Sequence, residues 1–498
     1  MIKGRVDRLE SGSPAPRGSE IPESTVKDDG KLLTMRPTTT NTESKSPITE
    51  HQPAERSLRR RLKLRHIVFL GLAYMAPLAV FDTFGIVAEA TNGRVPLAYV
   101  LIIIAVTITA LSYAKMSRYY PGAGSAYTYA RQTLNPHVGF MVGWAATLDY
   151  LLLPMLNALL AAIYMGAVLP DIPAWVWALS TIIICTVLNV VGVKLAAQVN
   201  VILVVVQIVV AAAFLFFAVR NITLGIDGAE FGLSPFDPSG VPAGSLLGGA
   251  SLLALSFLGF DAVTTMSEEA IRPKKDIPRA IIVIVISAGI FFVAITYAMQ
   301  MLFPDVSEVG NIVGASPEIA KYIGGALFQA LFVGGYMFAV LGCGLTQQMS
   351  AARLLYAMGR DGTLPRRFFG RINRRTGVPV MNIVFIAVLA CSAMFLDLES
   401  AASLINFGAY VAFGAVNLSV IFATVKHLKP AGYIGVFTGI ALPAIGVLIN
   451  VALWLSLDTN AKIVGIVWAL IGFTFLLAST RMFRTPPPQM ADPDMDDS

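Results

Sequence analysis

The sequence predicts an all-α, polytopic membrane protein of about twelve transmembrane helices. Three observations predict it: composition, the spacing of apolar runs, and the placement of basic residues around those runs. Of the 498 residues, 55% are hydrophobic and 14% are charged, against about 25% charged in a soluble domain. Mean hydropathy is +0.68. A water-facing surface cannot be covered from that supply. Runs such as LAYVLIIIAVTITALSY (97–113) and IIVIVISAGIFFVAITYAM (281–299) can cross a hydrocarbon layer of roughly 30 Å.

Hydropathy places spans at 66–91, 96–116, 137–168, 174–193, 198–219, 245–266, 279–303, 321–349, 379–396, 401–424, 433–457 and 462–483. An even number of spans puts both termini on one side, and Lys and Arg choose which. An inside amino terminus leaves Arg56, Arg59, Arg60, Arg61, Lys63, Arg65, Lys115, Arg118, Arg131, Arg272, Lys274, Lys275 and Arg279 in the cytoplasm. The loop carrying Arg353, Arg360, Arg366, Arg367, Arg371, Arg374 and Arg375 joins them, while the other side keeps Arg94, Arg220, Lys321 and Lys462. The +6 formal charge thus reads as a topology signal and implies no nucleic-acid partner. Residues 1–55, rich in Ser, Thr, Pro, Asp and Glu, are expected to be a disordered cytoplasmic tail. They hold no secretory signal pattern, so the first span serves as the insertion signal. Residues 484–498 form a second cytoplasmic tail.

Two spans are poor continuous helices: LGLAYMAPLAVFDTFGIVAEATNG (70–93) and GGASLLALSFLGFDAVTTMSEEA (248–270). Pro77, Gly85, Gly259, Thr83 and the run Val263 to Thr265 weaken helical continuity at mid-depth. Unwound backbone is tolerated there only where it lines a cavity or is buried in protein. The segments echo one another: Phe81-Asp82 is followed by Glu89, and Phe260-Asp261 by Glu268 at the same spacing. As the first and sixth spans they enter from opposite faces, the pattern of inverted repeats with a substrate site near the midplane. The repeats would be 66–219 and 245–424, followed by two further spans over 433–483.

A charge at the centre of a span costs on the order of 2.5 to 3.5 kcal/mol, so it faces a cavity or a partner. Asp82, Asp149 and Asp261 are the deep carboxylates; Asp149 lies about 12 residues into its span, roughly 18 Å along the helix. His51, His66, His137 and His427 fall in the tail or at span ends, and no Lys or Arg lies deep in any span. The missing partner is then the ligand, a proton, or both. As alternatives, Asp82 and Asp261 would cap the second halves of their broken helices. Asp149 would be a protonated acid hydrogen-bonded to a neighbouring helix, with Tyr150 and Asn157 as partners. Tyr74, Tyr113, Tyr150, Trp144, Phe257 and Phe260 offer π faces to a cation, those beside the breaks, Phe257 and Phe260, above all. Glu268 and Glu269 sit beside Arg272, Lys274 and Lys275, where interfacial ion pairs and an inner gate are expected; Glu89, near the outer end of its span, suits an outer vestibule or gate. Cys185, Cys343 and Cys391 lie in apolar runs without metal-ligand spacing. With no His/Cys cluster, nucleotide loop or nucleophile–base pair, neither a cofactor nor an enzyme is expected. A transporter-like sensor is the remaining rival class.

YPGAGSAYTYA (120–130), GFDAVTTMSEEAIRPKKDIPRAI (259–281) and RLLYAMGRDGTLP (353–365), in this order, resemble signatures of the amino acid, polyamine and organocation superfamily of permeases, over residues 66–484. Within it, GLAYMAPLAVFDTFGIV (71–87), HVGFMVGWAATLDYLLLPMLNALLAAIY (137–164) and LINFGAYVAFGAVNLSV (404–420) look most like the bacterial putrescine importers. The resemblance implies LeuT-like inverted five-helix repeats with broken helices one and six. It also implies a proton-driven carrier of the inner membrane, with a small cationic amine and protons as its partners besides membrane lipid. Many amino acid permeases carry a Gly-Ser-Gly-type turn in span one that holds the substrate carboxylate; this chain has Asp82-Thr83-Phe84-Gly85, which would repel a carboxylate and attract an amine. Some proton-coupled relatives place a lysine in span five where this chain has Gln207, which leaves Asp149 or Asp261 as the coupling group. The expectation is therefore diamine import, with Asp82, Thr83, Tyr74, Asp149, Tyr150, Phe257, Phe260 and Asp261 at the substrate and Asp149, Asp261, Glu89, Glu268, Glu269 and Arg272 in coupling or gating. An amino acid permease or exchanger is the alternative.

Overall fold

The structure is a computed structural model that describes residues 62–488, apart from 121–125, 192–195, 361–363, 374–375 and 429–431 and positions 268, 306 and 308. The expected tail over 1–55, Glu268 and most of the second tail therefore lie outside the described residues. Among the described residues the chain is helical, with no strand and one isolated bridge, between Leu62 and Ala270.

Among the described residues eleven helices are long and apolar enough to cross a membrane, and they coincide with the predicted spans to within a few residues at most ends. The ninth span is the exception. Its helix Val380–Ala390 and the 3-10 turn Cys391–Met394 form a shorter apolar segment, about 22 Å long at 1.5 Å per residue and so shorter than the hydrocarbon layer. It stops early because Asp397 caps the tenth span, its carboxylate accepting from Ser400 N at 2.8 Å. The eighth span overruns its predicted limits of 321–349, running from Ala315 to Arg360 with a non-helical Gly325 (φ 75°) near its start. Arg353 and Arg360 are thus helical and not in a loop. An eight-residue helix, Ala126–Thr133, leads into the third span and was not legible from hydropathy.

Both expected breaks are present. The first span is a helix over Leu64–Tyr74, a 3-10 turn over Pro77–Phe81 and a second helix over Phe84–Ala90. Pro77 excludes the helical conformation from the residue before it, and Ala76 is held at φ 49°. Gly85, expected to weaken the helix, lies inside the second half and plays another part: a Cβ there would meet the Ile312 carbonyl oxygen at 1.8 Å. It is a close-packing glycine, not the break. The sixth span runs as a helix over Ala243–Leu253, a 3-10 turn over Ala254–Phe257, and another over Ala262–Ser267. Gly259 turns between them at φ 101°, where a Cβ would lie 2.8 Å from the Tyr74 ring. Ser256 Oγ donates to Ala79 O at 3.3 Å, so the two breaks cross against each other.

Burial sorts the spans into two rings. In the third, sixth and tenth spans 67% of the apolar window is buried, against 28%, 28% and 22% in the fourth, eleventh and twelfth. The outer helices present their apolar sides to lipid. The twelfth is attached to the third through two tryptophans: Trp144 Nε1 donates to Trp468 O at 2.9 Å, Trp468 Nε1 donates to Trp144 O at 3.0 Å, and the rings stack at 4.8 Å. Replacing a buried Trp by Ala costs roughly 3–5 kcal/mol in cores. Trp468→Ala is therefore expected to lower the unfolding temperature of the solubilised protein by several degrees and leave its affinity for transported ligands unchanged, as a thermal-shift assay with and without ligand would register.

Candidate functional site

A cavity of about 170 Å³ lies where the two breaks face the third, eighth and tenth spans, well beyond the 10–15 Å³ or so that one water needs. Its wall includes Asp82, Asp149 and Asp261, so the three deep carboxylates, far apart in sequence, come together in one space. Among the described residues no Lys, Arg or His lines it. Tyr74 and Tyr150 also line it, as do the unpredicted Tyr336, Gln207, Gln347 and Cys343.

Each carboxylate is held differently. Asp82, 7% exposed, accepts a hydrogen bond from Tyr336 Oη at 2.5 Å. It does not cap the following half-helix: Thr83 occupies that position and makes no side-chain cap bond. The aspartate is thereby free for another role. Asp149 has one buried carboxylate oxygen, Oδ1, without a hydrogen-bond partner. The expected partner Asn157 is engaged elsewhere, donating to Leu153 O at 2.8 Å and to Gln347 Oε1. Asp261 sits in the turn after Gly259, within electrostatic range of Asp149 and beside the Tyr113 hydroxyl. The cavity therefore has two acidic poles: Asp82 with Tyr336, and Asp149 with Asp261.

The lining follows the third span from Gly143 to Leu160 and the eighth from Tyr336 to Leu354, and includes Tyr127 on the short connecting helix. It runs from mid-depth toward the end of the bundle that bears Arg131 and Arg353, with Tyr74 39% exposed on the way. At the other end it stops at Asp82 and Tyr336. Beyond them Phe81 packs edge-on against Phe214 at 4.7 Å and Phe332 at 5.0 Å, and Tyr164 stacks on Tyr336 at 3.7 Å. Of these rings, Phe81, Phe214, Phe332 and Tyr164 are fully buried.

The other predicted site residues sit outside the lining. Phe257 and Phe260 are buried behind the wall, the first against Tyr99 and Phe292, the second against Tyr113 and Phe413. Thr83 is buried beside Asp82 and not on the lining. These residues support the breaks and do not line the cavity. Glu89 is exposed at the far end of the first span, within electrostatic range of Glu399. Arg272 pairs with Asp276 at 3.2 Å, one turn along its own helix, and among the described residues no ion pair joins it to Glu269; Glu268 lies outside them. Glu269 instead serves through its backbone, its carbonyl accepting from Leu62 N at 3.0 Å. Tyr336 and Tyr164 carry no charge and lie away from the two breaks, in apolar stretches of the eighth and third spans, where an aromatic residue reads as packing.

The amino acid permease family profile matches residues 66–431. The chain belongs to that family. It is 41% identical over 437 residues to the low-affinity putrescine importer PlaP of Escherichia coli strain K12, an alignment covering 87% of this chain and 97% of that protein. The branched-chain amino acid permease BcaP of Lactococcus lactis is 29% identical, with the same coverage of the two chains. A methylthioribose transporter of Bacillus subtilis is 26% identical, over 76% of this chain and 84% of the relative. This permease is thus a multi-pass membrane transporter, as the apolar helices and the family together require.

Proposed function

We propose that this permease imports a small diamine, putrescine first, across the bacterial inner membrane, driven by protons, with both termini in the cytoplasm. The observation that carries the reading is the mid-depth cavity lined, among the described residues, by three carboxylates and no base. In a medium of low dielectric such a site favours a cation over a zwitterion or an anion. Asp82 anchors one ammonium group, Asp149 or Asp261 the other, and Tyr74 and Tyr150 face the methylene stem. The name of the 41% identical relative supports the same substrate class.

Protons enter at the Asp149–Asp261 pole, since two neighbouring carboxylates in one apolar site resist double ionisation and one is ready to exchange a proton. Transport proceeds by alternating access between the repeats over 66–219 and 245–424. Glu269 and Arg272, beside the cytoplasmic end of the sixth span, belong to the inner gate, and Glu89 to the outer one. Reconstituted protein is expected to show counterflow of labelled putrescine that cadaverine inhibits and that alanine and glutamate leave within experimental error. The resemblance to BcaP supports a second reading, an amino acid permease; inhibition by leucine or alanine at concentrations matching cadaverine would establish it and overturn the first.

A further inference from the structure

Tyr336 occupies the acid on which the cation reading rests. Its hydroxyl donates to Asp82 Oδ1 at 2.5 Å, in the range of a short bond to a carboxylate. Asp82 exposes only 7% of its surface, so this phenol takes much of the acceptor capacity that the carboxylate can offer. The same bond ties the eighth span to the break of the first. It lies directly under the rings that end the cavity, because Phe81 precedes Asp82 and Phe332 sits one turn before Tyr336. Phe81 and Phe332 touch each other at 5.0 Å and both touch Phe214, at 4.7 and 5.4 Å. A second bond from the eighth span holds the same break, Ser316 Oγ donating to Phe81 O at 2.8 Å.

The neighbour of Tyr336 supplies an alternative partner. Tyr164 lies parallel to it, ring centroids 3.7 Å apart at 7°. Its buried hydroxyl closes no well-formed hydrogen bond, although it lies beside the Tyr336 and Ser316 hydroxyls and within electrostatic reach of Asp82. Of the two stacked hydroxyls, that of Tyr336 is the one bonded to the carboxylate. If the Tyr336 hydroxyl leaves Asp82, it can donate to Tyr164 Oη, and no buried polar group is stranded, which would otherwise oppose its departure.

We propose that Tyr336 is a latch on Asp82 that an incoming ammonium group must release. The phenol satisfies the carboxylate and helps to fasten the aromatic layer at the end of the cavity; when an amine binds, the phenol transfers to Tyr164 and one of the two hydrogen bonds between spans one and eight is lost, that of Ser316 remaining. Binding of the cation and release of the aromatic layer are then one event. This rests on the diamine reading for the ligand, though the bond from Tyr336 to Asp82 does not depend on it.

Two measurements test it. Equilibrium binding of labelled putrescine to purified protein is expected to tighten about tenfold in Tyr336→Phe, since a hydrogen bond to a charged group that competes with the ligand is removed. It is expected to weaken several-fold in Tyr164→Phe, which lacks the receiving hydroxyl. Opposite signs from two stacked tyrosines are not what loss of packing produces. Separately, Cys343 lines the cavity and reports on access in a background with Cys185 and Cys391 replaced by Ser. Its labelling by an impermeant maleimide, from the face opposite the basic loops, is expected to rise several-fold in Tyr336→Phe without any ligand. Unchanged labelling together with unchanged or weaker putrescine binding in Tyr336→Phe overturns the latch; should that variant fail to fold, unchanged binding in Tyr164→Phe does so. Failure of the diamine reading shows differently, as wild-type protein that binds no putrescine, and the labelling result then still decides the latch.

Discussion

Asp82→Asn is expected to abolish saturable putrescine uptake while the protein remains in the membrane at its normal level. The substitution keeps shape and the capacity to accept from Tyr336 Oη, now at 2.5 Å, but removes the charge. Truncating one member of a buried, hydrogen-bonded charge pair costs roughly 2–5 kcal/mol, about thirtyfold to several thousandfold in affinity. Asp82 is 7% exposed, so water cannot substitute for the lost attraction. Uptake into proteoliposomes, with the reconstituted amount measured on the same vesicles, separates loss of binding from loss of protein; uptake within twofold of wild type would remove Asp82 from the site. Asp149→Asn is expected to behave differently, keeping counterflow of putrescine but losing acceleration by an imposed proton gradient.

Gly85→Ala is expected to be as damaging for another reason. The added Cβ would stand 1.8 Å from the Ile312 carbonyl oxygen and 2.9 Å from the Ala315 Cβ. The obstacle is backbone, and it belongs to the segment that leads into the eighth span. Overpacking costs roughly 1–3 kcal/mol where side chains can yield, and occasionally more; here the second half of the first span must separate from that segment. The same helix carries Asp82 at its entry, so the displacement acts on the acidic pole as well. We expect little monodisperse protein on fluorescence-detected size exclusion and no transport in what remains. Gly414→Ala is the control, since a Cβ there meets nothing within 4 Å, and it should behave as wild type.

The helical membrane architecture was legible because hydrocarbon imposes one requirement on every residue of a span, and eleven of the predicted spans recur as long apolar helices. The ninth and the eighth departed from expectation at their ends, where caps and tertiary packing set the limit and hydropathy is silent. The breaks were legible through Pro77 and Gly259, whose backbone restrictions are local. Gly85 carried the same signal for a different cause: a glycine that permits close approach and a glycine that permits an unusual turn look alike in one dimension.

For the site, the sequence by itself determined which acids are deep and that no base accompanies them, since both follow from depth along a span. The three aspartates come from the first, third and sixth spans, and their convergence on one cavity wall is a matter of helix packing. Tertiary structure alone decided that Asp82 is bonded to Tyr336, 254 residues away, that Asn157 is spent on Gln347, and that Phe257 and Phe260 do not line the cavity. The physical reason is the same in each case. Cost of burial is a property of a residue and its depth and can be read along the chain. Choice of partner depends on the rotation and crossing of helices, which is settled only when they pack.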